Sequence, residues 1–570
     1  MFQIRQYDVD ASAPPITDDE LRRRWAQFHH NIRMVAASRW RQVVGRLLGD
    51  DTWRYRAARL VGRPVLRVVR RVRGTRKKPP ISLVETVEPD ESYFPINYRP
   101  HLLERPVRSL EAQRDSGATV LRIDESSASP REVINRLNEE LAAVTTTWVI
   151  LADVADTLGD AVFASEVLAT HAEDDADVVF ADEFFASPHQ PTLKSPAVGY
   201  HTLLSYNAVG RPALVRTRRL RDLGGFDAEA GWAFEHDVYL RLHEAGAVFQ
   251  HVPLLVIGGR PAFAATREHL DGDTVAVVEH AIARRGWRGT VTPGDLPGTT
   301  RWRLEVPTPA PSIDILIPTR DRIDLVRRCV DSIRDLTTYP NYRIVILDND
   351  SAEPASLAYF DDEGFPVVKC PGPFNYAHIV NRGVAAATAE YVVTLNNDTI
   401  IVTPDWLERL VALASLDDVG FVGACLLDQD GRREHEGIVI TPYPQHLRTD
   451  SNYPVTNPYT VSVRDVAAVT GAVQMVRRTW WNELGGMDED LAVVMNDVDI
   501  CLRSLVAGRA VVFDPDVRLY HHVSSSRGSL DPLVDRNRFI RRWDIFGTFR
   551  DPYFPESLLL LGETMYYRFR

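Results

Sequence analysis

Tyr391-Val-Val-Thr-Leu-Asn-Asn-Asp-Thr-Ile-Ile401 begins as an apolar run and stops abruptly at three polar residues, Asn396, Asn397 and Asp398. The run from Tyr391 to Leu395 predicts a short buried strand. Two earlier stretches have the same form: Ile313–Ile317 ends in Pro318-Thr-Arg-Asp-Arg322, and Tyr342–Leu347 ends in Asp348-Asn-Asp-Ser351. Helical patterns separate the three runs. Right-handed crossovers should therefore make the strands parallel and gather their polar ends on one edge. In an open α/β sheet that edge is where ligands bind. A carboxylate at Asp398, flanked by amides and with other aspartates nearby, suits a divalent cation holding a diphosphate.

A chain of 570 residues is too long for one core, and two or more domains are expected. Its 45% hydrophobic and 25% charged residues are those of an ordinary globular chain. The four cysteines, Cys329, Cys370, Cys425 and Cys501, show no metal-ligand or redox spacing, which predicts buried free thiols in a reducing compartment. No apolar run reaches membrane-spanning length and the N-terminus has no signal-peptide pattern, so the expected location is cytoplasmic.

The formal charge of −12 is unevenly distributed. Between Leu21 and Pro80 stand 18 Arg and Lys against Asp50 and Asp51, a surplus of 16, so the remainder carries −28. Within residues 1–80, Trp25, Phe28, Ile32, Val35 and Trp40 recur at roughly helical spacing among the arginines. Basic amphipathic helices of this kind dock on anionic membranes, here the inner face of the plasma membrane. A helical hairpin packed on the acidic body is the plainer alternative. No nucleic-acid reading motif accompanies the charge, and nucleic acid is not expected as a partner.

The remainder divides into an α/β region at 81–295, a Pro/Thr-rich linker at 296–311, a second α/β region at 312–530 and a tail at 531–570. The two α/β regions repeat each other. Thr147–Leu151 followed by Ala152-Asp-Val-Ala-Asp156 parallels Tyr391–Asp398. Leu223-Gly-Gly-Phe-Asp227 parallels Leu484-Gly-Gly-Met-Asp488, and Glu235–Arg241 parallels Asp497–Arg503.

In the second region, Asn496-Asp-Val-Asp499 opens a helical pattern in which Val498, Cys501, Leu502 and Leu505 form the apolar stripe. Asp497 thus stands at a helix N-terminus, where complementing the helix dipole is its simplest role. After the next apolar run come His521 and His522, either surface residues or a metal ligand beside Asp398.

Taken in order, Pro318-Thr-Arg-Asp-Arg322, Asp348-Asn-Asp-Ser351, Phe374-Asn-Tyr376, Asn381-Arg-Gly383, Leu395-Asn-Asn-Asp-Thr399, Gly471-Ala472, Gly485-Gly-Met-Asp488, Asn496-Asp-Val-Asp499 and His521-His522 through Ser526-Arg-Gly528 resemble the family 2 glycosyltransferases of the bacterial surface-polysaccharide branch. The resemblance implies an α/β architecture of two tandem GT-A domains, Rossmann-like with mostly parallel sheets. It also implies transfer from a nucleoside-diphosphate sugar donor to a glycan or lipid-linked glycan, with inversion and with Mg2+ or Mn2+ as cofactor. Pro318, Thr319, Arg320, Asp348, Asn349, Arg382, Asn396 and Asn397 would line the nucleotide sugar. Asp398 and His521 would bind the metal, with His522 as the alternative, and Asp497 would be the base. Gly471, Asp488, Asn496, Asp499 and Arg527 would face the sugar or acceptor. Trp480 and Trp481 fit either acceptor contacts or the core. Asn396 departs from the family's acidic pattern and leaves Asp398 as the main carboxylate ligand.

The first region carries the same pattern eroded. Val154 stands in place of the metal-binding Asp, with Asp153 and Asp156 beside it, Glu235 replaces the base, and no His occurs in Leu254–Arg260. That predicts a domain that scaffolds the active one or holds a glycan. A bifunctional transferase, a nucleotidyltransferase and a non-catalytic glycan-binding scaffold are the competing readings.

Overall fold

The computed structural model describes residues from 118 to 567 apart from 124–128, 154–167, 170, 185–190, 193, 258–266, 442, 449–457, 523–531, 546–547, 556–557 and 562–563. The basic region 1–80, Val154, Asp156 and Arg527 lie outside the described residues.

The first sheet contains β1 (Ala118–Ile123), β2 (Trp148–Asp153), β3 (Val178–Phe184), β4 (Pro191–Thr192), β5 (Ala213–Arg216) and β6 (Phe249–Ile257). Helices α1 (Pro130–Ala143) and α2 (Phe234–Glu244) pack with it. Ser129 caps α1 in a reciprocal capping box with Glu132. A hairpin of β7 (Gly289–Pro293) and β8 (Thr300–Leu304) follows.

The second sheet is built on β9 (Ile313–Thr319), β10 (Tyr342–Asp348), β11 (Val367–Lys369), β12 (Tyr391–Leu395), β13 (Thr399–Ile401), β14 (Val419–Leu427) and β15 (Arg433–His435). A small separate pair, β16 (Ile438–Ile440) and β17 (Pro444–His446), intervenes before β18 (Arg464–Asp465), β19 (Val473–Arg477) and β20 (Ala510–His521) rejoin it. The strand order is β11-β10-β9-β12-β19-β14-β20-β13, with β15 on β14 and β18 on β20. Its helices include α3 (Ile323–Leu336), α4 (Tyr376–Ala386), α5 (Asn496–Val506) and α6 (Leu533–Trp543). On α3, Leu325, Val326, Cys329, Val330 and Ile333 are buried, the spacing of one helical face. The expected parallel arrangement of β9, β10 and β12 is present, Ile313 lying level with both Tyr342 and Tyr391. That register brings Thr319, Asp348 and Asn396 to one edge. The sheet as a whole is mixed, because β19 and β13 run antiparallel to their neighbours.

Pairing runs β1-β2-β5-β3-β6 in the first sheet and β9-β12-β19-β14-β20 in the second, with the same succession of parallel, antiparallel, antiparallel and parallel contacts. The side-chain bonds repeat too. Arg241 bonds Asp237 and the carbonyls of Leu223 and Gly225, while Arg503 bonds Asp499 and the carbonyls of Leu484 and Gly486. Asn138 exchanges hydrogen bonds with the backbone of Phe226, and Asn381 does so with Met487. Among the described residues the first sheet has no counterpart of β10 and β11.

One hydrophobic core joins the two sheets, taking Leu203 and Trp302 from one side and Trp406 and Val463 from the other. Two expectations are corrected here. Residues 296–311 are not a free linker, since β8 pairs with β7 and Trp302 is buried with its indole N–H on the Ser205 hydroxyl. The stretch from 531 is not a loose tail, since Asp551 accepts the Ile440 amide, Tyr553 and Phe554 are buried, and the Pro552 carbonyl accepts the Ala197 amide. In both places aromatic side chains find a core, which composition alone does not reveal.

The buried contact between the sheets centres on Asp465, whose carboxylate meets His201 Nδ1 at 2.8 Å and accepts from the Thr202 amide and hydroxyl. Burial opposes charge on His201, but Asp465 and Asp418 outweigh burial and the repulsion of Arg285, and the ring's pKa is raised from 6.5. Burial likewise works against the Asp465 carboxylate, yet His201 and the Thr202 bonds lower its pKa from 3.8. Stability contributed by His201 is full below pH 6.5 and is lost as pH climbs through the raised value; that of Asp465 is full above 3.8 and is lost as pH falls through its lowered value. Thermal denaturation should therefore show wild type losing more stability between pH 6 and pH 9 than His201→Gln does. Asp465→Ala, which strands a buried imidazole, should cost about 3–5 kcal/mol.

Candidate active site

Asp398 follows the end of β12 and is 4% exposed. Its backbone is fixed by β13 pairing antiparallel to β20, with Thr399 opposite His521 and the His522 amide donating to the Asp398 carbonyl at 3.0 Å. This register sets His521 Nε2 3.5 Å from Asp398 Oδ1. His522 turns away to Arg328, at 3.3 Å. The geometry thus separates the two histidines that the sequence left as alternatives. Burial works against a charged His521 ring, but Asp398 and Glu434 together push its pKa up to about 9.

Asp398 Oδ1 is buried without a hydrogen-bond partner. An ionisable oxygen in that condition is costly unless a cation or donor reaches it. One carboxylate oxygen and one imidazole nitrogen form a donor set that Mg2+ or Mn2+ accepts when substrate phosphates complete the shell. No group of three or more metal-ligating side chains gathers among the described residues.

On the same edge, Asp348 is buried and bonded to Lys369 Nζ at 2.7 Å and to the Ser351 amide. Burial acts against its charge, but the Lys369 and Ser351 bonds hold its pKa below 3.8. Asn349 and Asn397 face inward as braces: Asn349 donates to the Cys370 and Gly372 carbonyls, and Asn397 donates to the Thr319 hydroxyl. Pro318 is half-buried beside them, while Arg320 and Arg382 are exposed at the rim. Asn396 donates its amide to the Ala472 carbonyl, tying the end of β12 to the turn before β19.

That turn carries the link to Asp497. The Gly471 amide donates to Asp497 Oδ2 at 2.9 Å, and the Val498 amide donates to Oδ1. The Gly471 carbonyl accepts from the Tyr376 and Thr394 hydroxyls at 2.7 and 2.9 Å. A Cβ at Gly471 would stand 3.1 Å from the Tyr376 hydroxyl and 3.4 Å from Asp497 Cβ, so a larger residue would press on both groups. Met495, in the left-handed region at φ 67°, turns the chain into α5 and leaves Asp497 half-buried at the first turn.

Other residues expected at the acceptor side are engaged in the scaffold. Asp499 is fully buried and bonds Arg503, Arg542 and Trp543; Asp488 meets Arg542 and Arg538; Asn496 donates to the Leu491 carbonyl. Trp480 and Trp481 are core, with the Trp480 indole on Ser504 and Trp481 against Phe421. Two groups escaped the sequence reading. Glu434 lies 3.7 Å from His521 Nδ1 but 87 positions before it, with no motif to mark it. In the first sheet Arg211 bonds Glu235 at 2.7 Å, placing a guanidinium on the residue that corresponds to Asp497.

Residues 314–478 match the family model described as Glycosyl transferase family 2. Over 475 residues the chain is 32% identical to the O-antigen biosynthesis protein RfbC of Myxococcus xanthus, covering 79% of this chain and 36% of that protein. It is 29% identical over 444 residues to the uncharacterized protein y4gI of Sinorhizobium fredii (strain NBRC 101917 / NGR234), covering 72% of this chain and 48% of that one. The chain thus spans less than half the length of these curated relatives. Among solved structures, a mannosyltransferase, PcManGT from Pyrobaculum calidifontis in complex with GDP-Man and Mn2+, is similar over 44% of this chain and 64% of that one, at 20% identity and a TM-score of 0.31. The matched stretch contains the strand edge that carries Thr319, Asp348 and Asp398, and residues 314–478 form a glycosyl transferase family 2 domain.

Proposed function

We propose that the second sheet carries a metal-dependent, inverting glycosyltransferase site that uses a nucleoside-diphosphate sugar to extend a cell-surface or lipid-linked glycan. The observation that carries this reading is the pairing of Asp398 and His521 on the same strand edge as Asp348 and Thr319, with Asp497 anchored to the adjoining Gly471 turn. A cation held by Asp398 and His521 would supply charge stabilisation for the departing diphosphate. Asp497 removes the proton of an acceptor hydroxyl as that oxygen attacks the anomeric carbon. The new C–O bond forms opposite the bond to the diphosphate, which breaks with its electron pair, so the configuration inverts. Thr319, Asp348 and the exposed Arg320 and Arg382 position the nucleotide. Gly471 holds the base, while Asp488, Asn496 and Asp499 fix the helix that presents it. The name of the Myxococcus xanthus relative supports a polysaccharide acceptor.

The first sheet is, in this reading, a degenerate second copy of the domain that scaffolds the active one. The Arg211–Glu235 pair supports it, because the guanidinium takes up a carboxylate oxygen that an acceptor hydroxyl would have to reach. The basic region 21–80 would dock the enzyme on anionic membrane where lipid-linked acceptors lie.

Calorimetric titration with UDP, dTDP and GDP, with and without Mn2+, tests the reading. One Mn2+-dependent nucleotide site per chain is expected. Two sites would give the first copy a ligand of its own, and no binding would overturn the transferase reading in favour of a scaffold.

A further inference from the structure

Glu434 lies outside every motif that pointed to the active site, yet its carboxylate reaches the centre of it. On β15, His435 is level with Leu426 of β14, but the next pairing, at Leu427, falls on Arg433. Glu434 is therefore the extra residue of a β-bulge, a device that re-aims a side chain at a sheet end. β14 continues into pairing with β20, Leu427 lying level with Tyr520, immediately before His521. The bulge thus directs Glu434 past the end of β14 toward the imidazole. Glu434 Oε2 stands 3.7 Å from His521 Nδ1, while His521 Nε2 faces Asp398 Oδ1 at 3.5 Å. Both carboxylate oxygens are buried without another hydrogen-bond partner. The other Glu434 oxygen is 3.8 Å from Arg448, which restrains the carboxylate from behind.

We infer that Glu434 is a positioning residue for the metal site, holding Nδ1–H of His521 so that Nε2 remains turned toward Asp398 and the cation. The inference rests on the metal-dependent reading proposed above. A metal-binding imidazole generally donates its second ring N–H to a carboxylate or carbonyl, which fixes tautomer and ring orientation and raises the basicity of the ligating nitrogen. Here Asp398 faces one ring nitrogen at 3.5 Å and Glu434 the other at 3.7 Å. A simple buried ion pair would need only one of the two carboxylates; the line Asp398–His521–Glu434 engages both nitrogens.

The test is binding of Mn2+ to the full chain, alone and with UDP, dTDP or GDP added, read from the free Mn2+ signal in electron paramagnetic resonance against nucleotide-only controls. Glu434→Ala is expected to weaken Mn2+ binding by about 10–100-fold, and Glu434→Gln to recover most of it because its amide oxygen still accepts from Nδ1–H. In a His521→Ala background, Glu434→Ala should add no further loss, the non-additivity expected of a residue that acts through another. Unchanged affinity in Glu434→Ala, or an equal loss with and without His521, would overturn the inference. Where Glu434→Ala fails to fold, Glu434→Asp shortens the reach by one methylene and should show the same loss. Absence of Mn2+ binding in wild type, both alone and with UDP, dTDP or GDP added, would instead overturn the metal-dependent reading itself, which keeps the two failures distinct.

Discussion

Asp497→Asn should lower sugar transfer by about 10²–10⁴-fold, the range that general-base removal commonly produces. Nucleotide binding should change far less, because Asp398 and His521 form their own contacts across the β13–β20 pairing. The substitution is nearly isosteric but not silent. Both carboxylate oxygens accept backbone amides, from Gly471 and from Val498, and an asparagine can offer only one oxygen. One of the two N–H groups would then face an NH2, at a cost of about 1–3 kcal/mol in local stability. Asp497→Glu separates the two effects, since it retains a base and displaces it by a methylene. A rate loss in Asn much larger than in Glu, with similar melting temperatures, would support proton removal. Equal losses that follow melting temperature would reduce Asp497 to a brace for the Gly471 turn. Rates measured with saturating nucleotide sugar and acceptor, together with calorimetric binding of the nucleotide, provide both readouts.

Asp398→Ala carries the second large expectation, loss of the Mn2+-dependent part of nucleotide binding. A cation that bridges protein to diphosphate contributes several kcal/mol of charge stabilisation, so two or more decades of affinity should disappear. Binding without Mn2+ should change little, because Thr319, Asp348 and Asn349 are held by β9, β10 and their own hydrogen bonds. His521→Ala should reproduce the loss in weaker form, since it removes one nitrogen ligand and keeps the carboxylate. A variant at Asp398 that keeps full Mn2+ dependence would move the cation elsewhere. Asn396, which sends its backbone amide to Ala472, provides no carboxylate to take over.

Much of the second sheet was legible in the chain. Apolar runs that end at Asp348 and at Asn396 name their own strand ends, because a buried strand tolerates little polarity before its edge. The parallel direction of β9, β10 and β12 follows from the crossovers, and the register that levels Ile313, Tyr342 and Tyr391 places the polar ends together. The paired stretches Leu223–Asp227 and Leu484–Asp488 were legible too, and each forms a turn whose carbonyls hold an arginine, Arg241 in one and Arg503 in the other. What escaped notice depended on distance along the chain. Arg211 reaching Glu235 and Glu434 reaching His521 are contacts between residues with no periodic relation. The family resemblance put Asp488 and Asp499 on the acceptor side, and α6 brings Arg542 onto both.

The sequence by itself determined the strand ends and the set of groups that chemistry could use, because hydrophobic periodicity and chain reversal are local properties. Tertiary structure alone decided which of those groups meet. Antiparallel pairing of β13 with β20 selected His521 over His522, and a one-residue bulge brought in Glu434. In a strand, successive side chains point to opposite faces, so a shift of one position in register would have chosen different partners.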